Sequence, residues 1–174
     1  MPSQGPRYPT TFGEDSSVGT VDWSGINISD VGDDGGLAAT FSTTGVRYYL
    51  VTTNFGFTIP PNSLILGIVV EVERMETSTN ENLIDNSVKL VKAGAIVGSE
   101  KAQAGEWPLA MTVATYGTST DLWGVPWTPG EINASTFGVG FSPNKQAGGG
   151  FGQIDFIRIT VHYTTQFGDI GLGL

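Results

Sequence analysis

"QIDFIRITVHY", Gln153 to Tyr163, decides the fold. Ile157, Ile159, Val161 and Tyr163 fall at every second position, against Phe156, Arg158, Thr160 and His162 between them. A period of two sends successive side chains to opposite faces of an extended chain, whereas a helix would need apolar residues three and four apart. The stretch therefore reads as a β-strand with one face in a core. Just upstream, "FGVGF" places Phe137, Val139 and Phe141 on one face, with only Gly138 and Gly140 on the other. "PPNSLILGIVVEVERMETS", from Pro60, opens with a proline turn. A long run follows in which Leu66, Ile68, Val70 and Val72 share one face, opposite Gly67, Val69, Glu71 and Glu73. "NSVKLVKAG" sets Val88, Leu90 and Lys92 against Lys89 and Val91, and "GVRYYLVTTNFGF" (Gly45 to Phe57) is rich in aromatic and β-branched residues. Turn residues recur between these runs, and no segment carries helical periodicity. The expectation is an all-β antiparallel β-sandwich of jelly-roll type. Val70, Val72, Ile157, Ile159 and Val161 should form core, with Glu71, Arg158 and His162 pointing away from it.

Composition agrees with many short strands and tight turns: of 174 residues, 25 are glycine, and only 14% are charged. That length suits one domain with a substantial core. The net charge of −9, from 8 basic and 17 acidic residues, repels phosphate backbones and anionic headgroups, so neither nucleic acid nor a membrane is an expected partner. Without cysteine there is no disulfide, thiolate nucleophile or thiolate metal site, and no cofactor is implied. No apolar run approaches the roughly 20 residues that span a bilayer, and the start lacks a secretory signal's apolar core, which points to synthesis in a cytoplasm.

The ends differ from the middle. Residues 1–22 carry Pro2, Pro6 and Pro9 among Gly, Ser and Thr, and read as an extended N-terminal arm preceding a sandwich domain over 23–165. Residues 166–174 read as a flexible apolar C-terminal tail, in which Phe167, Ile170, Leu172 and Leu174 alternate with glycines. Such segments have apolar surface to bury and too little regular structure to bury it alone. Tyr8 and Phe12, with those four tail residues, are the expected assembly contacts.

Candidate chemistry is sparse. His162 is the single histidine and stands on the polar side of its strand, so a histidine-rich zinc site is excluded and a triad lacks identified partners. Glu71 and Glu73 project to the same side about 7 Å apart, which glycosidase geometry allows but an ordinary solvated strand face also produces. No catalytic residue is assigned. Asp30, Asp33 and Asp34 in "SDVGDDGG" form a weak calcium candidate, although the spacing is not that of an EF-hand and an acidic turn is the commoner reading. Trp107, Tyr116, Trp123 and Trp127 are the candidates for a sugar-binding platform. Each sits beside proline or glycine, in "EWPLA", "TYGTS" and "LWGVPW", where a sandwich closes its ends, so burial as core lids is the stronger expectation.

Taken in order, "DDGGLAATF", "TNFGFTIPPNSLILGIVVEVER", "EWPL", "TYGTSTDLWGVPWTPGEIN", "FGVGF" and "QIDFIRITVHYTT" resemble β-sandwich virion structural proteins of tailed bacteriophages, over roughly Asp33 to Thr165. None of these pieces is a catalytic signature; their order carries the likeness. The resemblance implies a non-enzymatic virion component: a capsid decoration or cement protein, or a tail or fibre subunit. Its partners would be its own copies, with a trimer as one arrangement, and other virion proteins such as the major capsid protein. A carbohydrate-binding module for host attachment is the alternative.

Overall fold

The computed structural model describes residues 1–23, 26, 39–80 and 82–165. In chain order the strands are β1 (Ser3–Arg7), β2 (Thr11–Asp15), β3 (Ala39–Phe41), β4 (Gly45–Val46), β5 (Tyr49–Thr53), β6 (Ser63–Glu76), β7 (Leu83–Lys92), β8 (Ala95–Val97), β9 (Thr112–Tyr116), β10 (Gly138–Lys145) and β11 (Gly152–Thr165). They form two antiparallel sheets. One has the order β1-β11-β6-β9, with β3 also on β11; the other has the order β2-β5-β10-β7-β8, with β4 also on β10.

The pairing is nested. β7 pairs with β8, β6 with β9, β5 with β10, and β3 with β11, so the chain from β3 onward doubles back on itself as one long two-stranded ribbon. Successive pairs of that ribbon fall in alternate sheets, and the contacts β6–β11 and β7–β10 knit them together. The all-β sandwich expected from period-two alternation is what forms.

The core lies between the inner faces. Val70, Val72, Ile157, Ile159 and Val161 are buried there, with Leu50, Val88, Leu90, Phe137, Val139 and Phe141 facing them from the other sheet. Glu71 and Arg158 sit opposite each other on the outer face, and His162 lies opposite Gly67 on the same side.

One strand phase differs from the expectation, and one outer face is covered. The register of β6 against β11 slips between His162 and Tyr163: Gly67 faces His162, but Ile65 faces Tyr163. Leu66 is therefore the extra residue of a bulge, partly exposed, while Ile65 is buried in its place. Val91 keeps the expected face, opposite Val88 and Leu90, and is fully buried there beside Ile96 of β8.

The N-terminal segment is not an arm outside the sandwich. Ser3 to Arg7 pair with β11, and Thr11 to Asp15 pair with β5, so one short passage supplies an edge strand to each sheet. Its prolines allow this because an edge strand needs donors on one side only. A single helical turn also forms, α1 (Pro129–Asn133), started by a capping box in which the Thr128 side chain accepts from Glu131 N while the Glu131 carboxylate accepts from Thr128 N. Among the described residues no helix is long and apolar enough to cross a membrane.

Candidate functional site

The four proposed platform aromatics are internal. Trp123 is fully buried, Trp107 and Tyr116 are each 2% exposed, and Trp127 6%, so none offers a free ring face to a sugar. Their polar atoms are engaged as well. The Trp123 indole donates to Ile68 O at 2.8 Å, and the Trp127 indole to Leu122 O at 3.1 Å. Trp123 holds a left-handed backbone (φ 60°) in the loop after β9, beside Ile68 of β6, where Gly117 must be glycine because a Cβ would strike the Ile68 carbonyl and the indole. Trp127 stacks edge-on to Phe137 at 5.3 Å, and Phe55 and Phe57 complete an apolar plug at that end.

Trp107 and Tyr116 meet instead around a charged pair that sequence patterning did not single out. Arg74 of β6 and Asp85 of β7 approach to 3.3 Å inside the sandwich. Asp85 also accepts from the Trp107 indole at 2.9 Å, the Tyr116 hydroxyl at 2.8 Å and the backbone N–H of Gln103 at 3.1 Å. The guanidinium lies 4.9 Å from the centre of the Trp107 ring, a cation–π contact. Burial, reinforced by the Asp85 charge, pushes the Tyr116 phenol far above its ordinary range, so it remains a donor. Arg74 was legible in part, because it continues the inward phase of Val70 and Val72. Asp85 was not: the β7–β10 register slips between Ser142 and Pro143 and reverses the phase set by Val88 and Leu90.

A small cleft of about 220 Å³ opens over this network, between β9 and the 103–108 segment, with Arg74 and Gln103 in its lining. On the opposite side, where the chain passes from β1 to β2, a shallow cleft of about 620 Å³ is lined by Arg7, Tyr8, Thr10, Asn54 and Phe55 among others. Tyr8 reaches further, accepting from Arg158 at 3.3 Å and standing edge-on to buried Phe156 at 5.9 Å. Phe12 packs against the core. Both expected assembly residues at the N-terminus are thus engaged within the fold.

The outer faces carry paired groups. Arg158 donates to Glu71 at 2.9 Å, and that bond holds the guanidinium well above its ordinary pKa. Glu71 is therefore a salt-bridge partner. On the other sheet the Tyr49 ring lies across Gly140, and its hydroxyl meets Ser87 Oγ at 2.5 Å. Ser87 in turn donates to Glu100. Burial alone would raise the Glu100 carboxyl, but bonds from Ser87 and from the backbone N–H groups of Val88, Ala102 and Lys101 outweigh it and hold it below the usual carboxylate range.

Among the described residues no group of three or more His, Cys, Asp or Glu side chains could hold a metal ion. The calcium candidates Asp30, Asp33 and Asp34 lie outside the described residues, as do Phe167, Ile170, Leu172 and Leu174. Comparison with protein families, with curated proteins and with solved structures finds no match to this chain.

Proposed function

We propose that the chain is a non-enzymatic virion structural protein of a tailed bacteriophage, a capsid decoration or cement protein that stabilises the assembled shell. The nested strand pairing carries this reading. A ribbon folded back on itself, with alternate pairs in opposite sheets, fits the jelly-roll type, an architecture used by viral capsid domains and by lectins. The cross-links between the sheets suit a rigid block: Arg74 of β6 with Asp85 of β7, and the hydroxyl of Tyr116 of β9 bonded to the same carboxylate. Such a protein would act by mass action, each bound copy lowering the free energy of the closed shell relative to the opened one.

A tail- or fibre-associated carbohydrate-binding module is the second reading, supported by one observation: the cleft beside Tyr8 sets that ring among Arg7, Thr10 and Asn54. Imaging purified particles with an antibody against the protein tests both. Label distributed over capsomers supports the cement reading, while label at the tail tip supports attachment. Stripping the protein from heads and adding it back should restore their heat resistance if it is a cement. Label on neither structure would exclude both.

A further inference from the structure

We infer that the free edge of β9 is a homotypic interface, at which a second copy of this chain pairs strand to strand in an antiparallel, two-fold arrangement. The inference is independent of the virion reading. It begins with the open hydrogen-bonding groups of β9. The Thr115 carbonyl accepts from the Gln103 side chain at 2.7 Å, so it points away from β6. Groups along an antiparallel strand alternate in direction, which places the N–H and C=O of Val113 and the N–H of Thr115 on the same open side.

The other sheet edges are guarded, as edges usually are against unwanted pairing. β1 contains Pro6 and Arg7, β2 ends in Glu14 and Asp15, and β8 has three residues and is followed closely by Glu100 and Lys101. The β9 strand carries no such guard in its own sequence, and among the described residues it is the Gln103 side chain that meets its open side, at the Thr115 carbonyl. From Ala110 to Thr120 the chain carries neither a charged residue nor a proline, and Thr112, Val113, Thr115 and Tyr116 are good strand formers.

Apolar surface accompanies the edge. Leu109, Val113 and Phe151 are three of the five large apolar residues exposed among the described residues. Leu109 and Val113 stand at the edge itself: Val113 lies opposite Glu73, and Pro108, next to Leu109, accepts from Glu76 N at 2.9 Å, while Phe151, which accepts from Thr77 N at 3.0 Å, lies at the end of β6 on the β11 side.

A second copy is the occupant because the edge is its own complement. A two-fold axis at Ala114 sets Val113 opposite Thr115 of the other copy, so each strand's open donors meet the other's acceptors. The Thr115 carbonyl, with two lone pairs, accommodates the incoming N–H beside the Gln103 amide. The uncharged stretch also lets two chains of net charge −9 approach at this edge with no like charges on the paired strands. Edge pairing buries modest area, so a weak, concentration-dependent dimer is expected.

The test measures the mass of the full-length protein by sedimentation and light scattering from micromolar to several hundred micromolar. Wild type should pass from monomer to dimer, and the Val113 and Thr115 amides should gain protection from hydrogen exchange as it does. Val113→Pro removes an outward N–H without touching the β6 ladder and should leave the chain monomeric throughout; Val113→Lys, which guards the edge with charge, should do the same. Circular dichroism confirms that each variant is folded, and the lysine variant decides if the proline variant is not. Gly13→Lys, at the β2 edge, should dimerise like wild type. A wild type that stays monomeric or closes as a trimer, or a folded Val113→Lys variant that dimerises unchanged, overturns the inference. Neither result bears on where the protein sits in a particle.

Discussion

Arg74 and Asp85 form an ion pair that spans the two sheets, 3.3 Å apart with the aspartate side chain fully buried. Because Asp85 also holds Trp107, Tyr116 and the backbone of Gln103, its removal orphans a buried cation and frees three donors at once. Asp85→Ala should therefore cost about 3–5 kcal/mol in urea unfolding. Replacing both partners, Arg74→Met with Asp85→Leu, should cost less than Asp85→Ala alone. If Asp85→Ala unfolds at the wild-type urea midpoint, the pair is not a brace.

Gly140 should resist a side chain. A Cβ there would press on Tyr49 from β5 and Ile96 from β8, which converge over it. Gly140→Ala is expected to destabilise by about 1–3 kcal/mol. Gly13→Ala, whose Cβ meets nothing, should be close to neutral. Equal melting temperatures for the two variants would show that the outer face is not packed as described.

Ile159 is fully buried between the sheets, so Ile159→Ala should lose about 2–5 kcal/mol. His162→Ala, three residues along on the outer face, should stay within about 0.5 kcal/mol of wild type. Chemical denaturation of the two variants reads the difference directly, and a reversed order would invert the strand faces.

Glu100 gives stability a dependence on acid. Its folded-state pKa is depressed, so its contribution is fully present above the unfolded value, near 4.3, and is lost as pH falls through the lower folded value. The melting temperature of wild type minus that of Glu100→Gln should be positive at neutral pH and shrink below about pH 4. A difference that stays constant into acid would remove Glu100 from this role.

A chain beginning at residue 23 should fold poorly. It lacks β1 and β2, exposing the flanks of β11 and β5 and uncovering Phe156 where Tyr8 rests. Lower melting temperature and rising light scattering are the expected readouts. Unchanged melting would restore residues 1–22 to the status of a detachable arm.

The fold was legible wherever alternation runs unbroken. Ile157, Ile159 and Val161 announced their strand because pleating alone dictates their side. Leu66 and Asp85 misled or hid because a bulge shifts phase by one residue, and nothing local in the sequence marks the insertion. Residues 1–22 were misread for a different reason: strand content is weak there, and the pairing with β11 and β5 is a property of distant segments. The aromatic group was half legible. Proline and glycine neighbours correctly suggested lids, but that Trp107 and Tyr116 should converge on one carboxylate depends on strand register.

The pairing of Ser3 with His162 sets a timetable for synthesis. β1 precedes every other described strand in the chain, yet its partner β11 emerges only after all of them have been made. Until then the Ser3–Arg7 segment has no ladder to join, and β6, which needs β11 on one side, has only β9 to hold it. The sheet containing β1 can close only once β11 has emerged, so until then the nascent chain carries an open, apolar half-sandwich.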